Sequence, residues 1–247
     1  MRTDFGKAVV AVGLAAFSGG AFADVTMALI APPDGPSMDG VYTSPYTALI
    51  GPSGLTTLNQ LKQNPSTTTT LVICDDYTTD VSTSTPPWDA TVTSVGALSG
   101  ASSALNTLKF DKGNLTQQQA DYTTVAYLAE ELMGINQSTS QGQLTAGEIS
   151  FAIWQVFDPS LASSLQSESN YGAIENFYTQ ARASAGSNPS AYANVLVYTP
   201  QPNGASQEYL VVTPEISGLA LLAVDLSGVG GLIFLLRKRL FRVAARS

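Results

Sequence analysis

The chain has no histidine and only one cysteine, Cys74, and charged residues make up 12% of its 247 positions. Without histidine, Ser-His-Asp and Cys-His catalysis and histidine-containing zinc sites are excluded. A single cysteine excludes an intramolecular disulfide and an all-thiolate zinc site, which needs four thiolates. Any site chemistry therefore has to come from carboxylates, hydroxyls, amides or this one thiol.

Basic residues are also scarce, since 11 Lys and Arg stand against 19 Asp and Glu. Positions 24–212 hold 16 acidic residues and four basic ones, which are Lys62, Lys109, Lys112 and Arg182. Such a surface repels nucleic acid and anionic lipid, so we expect neither as a partner of this segment. Its length of about 190 residues is sufficient for one domain with a hydrophobic core.

The acidic residues are the remaining candidates for a metal site or for acid–base catalysis. Asp75, Asp76 and Asp80 offer oxygen ligands for calcium, as does the loop 34–39, but neither group has EF-hand spacing. Alternation along a strand places Asp75 and Asp76 on opposite faces. A glycosidase needs two carboxylates about 5 to 10 Å apart, and the sequence singles out no such pair. We therefore predict no metal, no cofactor and no catalytic residue.

The first 23 residues have the pattern of a secretory signal peptide. Arg2 and Lys7 precede an apolar stretch at 8–17, and small residues follow up to Ala21 and Ala23. This A-x-A arrangement predicts cleavage after Ala23, and hence export of the remainder.

Residues 216–236 form an apolar run that fits a transmembrane helix. At 1.5 Å per residue it spans roughly the 30 Å of a bilayer core. Asp225 lies near its middle and costs about 2.5 to 3.5 kcal/mol of insertion free energy, so the span is marginal. Arg237, Lys238 and Arg239 follow the run. By the positive-inside bias they hold this end in the cytoplasm and place the body on the far side.

Together with Thr213, Pro214 and Glu215, this run and its basic end resemble the PEP-CTERM sorting tail of Gram-negative bacteria, here 213–247. Thr213 stands where the motif usually has Val, and an isoleucine stands where it usually has its second Pro. The resemblance implies processing by an integral-membrane exosortase. It also implies an inner-membrane anchor before processing, then a place at the cell surface or outside the cell, in the context of biofilm and exopolysaccharide. Extracellular polysaccharide is accordingly an expected partner.

Hydrophobic periodicity predicts an α+β fold for 24–212, an antiparallel sheet or sandwich with an inserted helical region. The predicted strands are 25–30 and 46–50 as edge strands, then 67–77, 89–95, 194–198 and 208–212. The predicted helices are 117–133, 145–157 and one that begins after Asn170. Thr145 and Glu148 have the spacing of a capping box, which predicts the start of the second helix.

Cys74 on its predicted strand and the Ala152-Ile153-Trp154 helix resemble the thioester domains of Gram-positive surface adhesins. In that family the cysteine bonds to a glutamine four residues before the tryptophan, and the thioester acylates amines on a target. Ser150 occupies the glutamine position and has no acyl carbon in its side chain. The resemblance thus implies a similar fold with a degenerate site at Cys74, Ser150 and Trp154.

These observations predict an exported, exosortase-sorted surface or matrix protein with a non-enzymatic structural or adhesive role. Two alternatives stay open. One is a covalent thioester-type adhesin that uses Cys74, and the other is an acidic carbohydrate-active enzyme.

Overall fold

A computed structural model describes residues 24–31, 37–38, 40–99, 107–110, 113–186 and 188–214. The chain divides into two compact units, Met1–Val212 and Thr213–Ser247. The predicted signal peptide and the predicted membrane span 216–236 lie outside the described residues. Within the described ranges, no helix combines the length and the apolar character needed to span a bilayer.

Most of the strands form one closed antiparallel barrel. The strands of the chain are β1 (Val25–Ala31), β2 (Ser37–Met38), β3 (Val41–Tyr42), β4 (Tyr46–Pro52), β5 (Thr68–Cys74), β6 (Trp88–Ser94), β7 (Val195–Gln201) and β8 (Tyr209–Val212). Around the barrel the order is β1-β4-β5-β8-β7-β6, and β6 pairs again with β1. β2 and β3 form a separate two-stranded sheet.

Strand alternation divides most apolar residues of the barrel between two cores, and a third, small cluster joins Ala28 and Leu49 to Leu61. On β5, Val72 and Cys74 belong to the cluster inside the barrel, whereas Ile73 belongs to the cluster that also contains the helical residues. The same alternation places Tyr209 inside and Leu210 outside on β8. Each strand therefore buries both of its faces at these positions, one against the barrel interior and one against the helices.

A helical region lies between β6 and β7 in the chain, and one further short helix lies between β4 and β5. The helices are α1 (Leu58–Gln63), α2 (Leu115–Gly134), α3 (Ser140–Phe157), α4 (Ser160–Leu165) and α5 (Tyr171–Ser184), with 3-10 turns at Val95–Ser99 and Pro189–Tyr192. α2, α3 and α5 pack against one another, and α2 also contacts β8. Ile149, Ile153 and Tyr122 are fully buried between these elements.

The predicted combination of helices with an antiparallel sheet is confirmed, and three details need correction. The sheet is closed, so β1 and β4 are not edge strands. α3 begins at Ser140, where the Thr139 side chain accepts a hydrogen bond from the Gly142 amide, rather than at the predicted Thr145 cap. Glu148 is buried within the helix and does not cap it. Asn170 does precede α5, but its side chain makes no cap hydrogen bond.

Candidate functional site

β5 ends at Cys74 at one mouth of the barrel, and the next two residues, Asp75 and Asp76, are buried like Cys74. β4 and β8 begin at the same mouth, because both run antiparallel to β5. Cys74 lies directly opposite Tyr209 of β8. This position brings together the end of one strand, the starts of two others and the helix α3.

The Cys74 thiol is fully enclosed and hydrogen-bonded. The Sγ–H donates to the carbonyl oxygen of Asp76 at 3.2 Å. The backbone carbonyl of Cys74 accepts a hydrogen bond from Trp154 Nε1–H at 2.9 Å. Burial, followed by the nearby carboxyl of Asp75, raises the pKa of the Cys74 thiol well above its ordinary value. Since the thiolate is the nucleophilic form, these surroundings make the group a poor nucleophile.

Ser150, the residue at the glutamine position, is connected to Cys74 through Ser44. The Ser150 hydroxyl accepts the Ser44 amide at 3.1 Å and donates to the Ala146 carbonyl at 2.8 Å. The Ser44 hydroxyl in turn accepts the Cys74 amide at 2.9 Å. The structure therefore brings the three residues of the predicted degenerate site together, with Ser150 committed to backbone hydrogen bonds.

Gln207 is an amide-bearing residue that shares a hydrogen-bond acceptor with the thiol, and sequence reasoning missed it. Its Nε2 donates to the Asp76 carbonyl oxygen at 3.1 Å, the same oxygen that accepts the Cys74 thiol. Its Oε1 accepts the Tyr209 hydroxyl at 2.8 Å. The signal that could have found it is the register of β8, because Gln207 stands two residues before the partner of Cys74.

Asp75 points away from Cys74 and pairs with Glu208 against α2. The Asp75 amide donates to the Glu208 carbonyl at 3.4 Å, which makes the two residues cross-strand neighbours. The Glu208 carboxylate accepts hydrogen bonds from Tyr122, Thr199 and, at 3.0 Å, the Lys109 amide. Both carboxyl groups are fully buried.

Both members of this carboxyl pair have a raised pKa. Burial, and then the charge of Glu208, raise the pKa of Asp75 well above its ordinary value. Burial also raises the pKa of Glu208, while the bonds from Thr199 and Tyr122 oppose that shift. Neither oxygen of Asp75 accepts a hydrogen bond from the described residues. A protonated Asp75 that donates to the Glu208 carboxylate accounts for all three observations.

Asp76 forms an ion pair with Lys109. Lys109 Nζ contacts Asp76 Oδ2, and it also donates to Thr79 Oγ1 at 2.8 Å and to the Ser206 carbonyl at 3.3 Å. Asp76 Oδ1 accepts the amide and the hydroxyl of Thr78, at 3.0 and 2.8 Å. The side chains of Lys109 and Asp76 are 12% and 0% exposed.

The candidate calcium ligands are not assembled into a common site. Asp75 faces Glu208, Asp76 binds Lys109, and Asp80 is exposed. Over the described residues, no group of three or more acidic or thiol side chains is placed to hold a metal ion. The loop 34–39 falls largely outside the described residues.

Only the start of the predicted sorting tail is described. Thr213 and Pro214 follow β8 directly, and Pro214 is exposed. Glu215 and the basic residues Arg237, Lys238 and Arg239 lie outside the described residues, as do Ala21 and Ala23 of the predicted cleavage site.

Comparison of the chain with protein-family models, curated proteins and solved structures found no match. The two resemblances therefore depend on the residues of this chain alone. For the sorting tail these are the motif at Thr213–Glu215, the apolar run and the basic end, and for the thioester domains they are the surroundings of Cys74.

Proposed function

We propose that the protein is an exported surface or matrix protein with a structural or adhesive body, and that an exosortase-like membrane enzyme processes its tail. The observation that carries this proposal is the junction after β8. The folded unit ends at Val212, and the Pro-Glu motif follows it at once, with Pro214 exposed. An exposed proline directly after the folded unit suits recognition by a processing enzyme.

The surroundings of the reactive groups favour a non-enzymatic body. Cys74, Asp75 and Glu208 are fully buried. A glycan cannot reach the Asp75–Glu208 pair, which disfavours a carbohydrate-active enzyme that uses these two carboxylates. The hydroxyl of Ser150 is held by backbone groups and supplies no acyl carbon.

Processing can be tested with the full chain expressed in a bacterial host, with and without a co-expressed exosortase. We expect the protein to stay in the inner membrane without the enzyme and to lose its tail with it. Pro214→Ala should block this loss, whereas Pro86→Ala, at an exposed proline far from the motif in the sequence, should not. A tail that is retained in every case, or protein found in the cytoplasm, would refute the proposal.

Gln207 favours a second candidate, a covalent adhesin that draws its acyl group from β8 instead of α3. In that reaction the Cys74 sulfur attacks Cδ of Gln207, a C–S bond forms and ammonia leaves. A primary amine on a target would then take the acyl group and release the thiol. Gln207 is partly exposed, so an amine could approach it, and the Tyr209 hydroxyl already polarises its carbonyl.

A further inference from the structure

We propose that Lys109 and Asp76 are joined by an intramolecular amide bond between Nζ of the lysine and Cγ of the aspartate. The proposal concerns a pair of residues outside the Cys74 chemistry. It does not depend on export or on exosortase processing.

The first argument is that both reacting groups are held in contact. Nζ touches Oδ2, the opposite oxygen of Asp76 is fixed by Thr78, and the backbone of Lys109 is fixed by Glu208. Fixed, well-oriented groups react as though at effective concentrations of roughly 10⁵ to 10⁸ M. Free in water, an amine and a carboxylate do not condense spontaneously, so this contact is the first requirement for the bond.

The second argument is the exclusion of water. The Asp76 side chain is fully buried and that of Lys109 is 12% exposed. The Phe110 ring lies 5.9 Å from Nζ. Low water activity favours an amide over its hydrolysis products, and the Phe110 ring helps to shield the pair from solvent.

The third argument is a buried carboxyl pair that fixes the backbone of the reacting lysine. Glu208 accepts the Lys109 amide, and Asp75 immediately precedes Asp76 in the chain. The Asp75–Glu208 pair combines a protonated carboxyl group with a carboxylate, both fully buried. This pair therefore holds the Lys109 backbone in the position in which Nζ meets Asp76 Oδ2.

The reaction balances without an oxidant, a metal or a cofactor. The neutral Nζ attacks Cγ of the Asp76 carboxyl group, a C–N bond forms and a C–O bond breaks. One water leaves, made from the departing oxygen and two protons of the lysine ammonium group. The amide keeps one N–H, which can still donate to Thr79 Oγ1 or to the Ser206 carbonyl.

A comparison within the described residues shows why this pair is distinctive. Their other ion pair joins Arg182 to Asp121, and the arginine side chain there is 27% exposed. A guanidinium group stays protonated and does not condense with a carboxylate. A Lys109–Asp76 amide would tie the end of β5 to the segment before α2, 33 residues further along, in a chain that cannot form an internal disulfide.

Tryptic digestion of the full chain, followed by mass spectrometry, tests the bond directly. Trypsin cuts after Lys62, Lys109 and Lys112, so an unmodified chain yields the peptide 63–109. The amide blocks the cut after Lys109. The expected product is therefore 63–112, lighter than its sequence by one water, with tandem spectra that link Asp76 to Lys109.

Three results would overturn the proposal. They are the peptide 63–109 at full mass, the peptide 63–112 at full mass, and the peptide 63–109 lighter by one water. The third result would mean that an aspartate had closed on its own backbone and that Lys109 was free. Each of these is read from the wild-type protein, so the test holds even if a variant fails to fold.

Variants make the assignment specific. Lys109→Arg keeps the charge but should give 63–109 at full mass. Asp76→Asn should give the same cross-linked peptide with loss of ammonia in place of water. Lys62→Arg, at an exposed lysine on α1, is the matched control and should leave the cross-linked product unchanged.

Discussion

The indole nitrogen of Trp154 donates a 2.9 Å hydrogen bond to the carbonyl oxygen of Cys74, 80 residues earlier in the chain. This contact joins α3 to the last residue of β5, at the mouth of the barrel. The same indole packs against Phe151 and Tyr77, with ring centroids 4.9 and 5.2 Å away. Trp154 is therefore an anchor between the helical region and the barrel.

The anchor predicts a graded response to substitution. Trp154→Phe keeps a ring but leaves the Cys74 carbonyl without its donor, so we expect a loss of about 1 to 3 kcal/mol in the free energy of unfolding. Trp154→Ala also leaves a cavity and should cost about 3 to 5 kcal/mol. Urea unfolding of both variants measures the difference. Equal losses would mean that ring packing contributes nothing beyond the hydrogen bond, and an unchanged Trp154→Phe would mean that the hydrogen bond contributes nothing.

Ile153 lies beside this anchor and tests the packing of α3. It is fully buried in the core between barrel and helices. Ile153→Ala should lower the free energy of unfolding by about 2 to 5 kcal/mol, since it removes apolar contacts and leaves a cavity. Gln141→Ala, at an exposed position of the same helix, should change it by less than about 0.5 kcal/mol.

The start of α3 yields a prediction that distinguishes the cap seen in the structure, Thr139, from the cap predicted by the sequence pattern, Thr145. Thr139→Ala removes the side chain that caps the Gly142 amide and should cost about 0.5 to 2 kcal/mol. Thr145→Ala, at the position that the pattern indicated, changes a residue within the helix and should cost less. If chemical denaturation showed a larger loss for Thr145→Ala than for Thr139→Ala, the sequence-based cap at Thr145 would be the correct one.

The wrong cap has a simple cause. Residues 140–143 are polar or small, so the apolar periodicity of α3 starts later than the helix itself. The strands were recognisable for the opposite reason, because β5 and β6 carry β-branched residues between turn signals. Closure of the barrel was not predictable, since it depends on the pairing of β1 with β6, which lie far apart in the chain.

The candidate site was partly predictable on the same terms. Cys74 and Trp154 could be chosen by residue type and local pattern. Gln207, Glu208 and Lys109 could not, because their importance comes from strand register and from a loop that reaches back to β5. Nothing in their local sequence distinguishes them from solvated polar residues.

The Asp75–Glu208 pair predicts how stability depends on pH. The folded-state pKa of Asp75 is raised. At a pH just above the ordinary carboxyl pKa, the unfolded chain has therefore lost this proton and the folded protein still binds it. Stability from this group is present below that range and is lost as the pH rises towards the folded-state value. Unfolding free energies measured across this interval should therefore fall with pH.

Asp75→Asn provides the control for this pH dependence. The amide can donate to Glu208 without titrating, so the variant should show a flatter profile and a relative gain at neutral pH. The same slope in the variant as in the wild type would mean that another group controls the dependence. Tyr122 and Thr199, which bind the same carboxylate, remain in place in both proteins.

The final prediction concerns the reactivity of Cys74. Because the thiol is fully buried and its pKa is raised, it should resist a thiol reagent in the folded protein and react fully after unfolding. Peptides that contain Cys74, Ser150 or Gln207 should show no loss of ammonia, and methylamine should add to none of them. An ammonia loss shared by Cys74 and Gln207, and reversed by methylamine, would instead establish the covalent adhesin.

Ser150→Gln tests the same site from the helical side. The variant restores the residue that the thioester resemblance implies, four positions before Trp154. If the scaffold keeps thioester geometry, this one change should produce an ammonia loss that links Cys74 to position 150. Ser150, however, is bonded to Ser44 and Ala146, and a longer side chain must displace both contacts. We therefore expect a destabilised protein with a free thiol, measured by urea unfolding and by thiol titration, since Ser44 occupies the path between the helix and the cysteine.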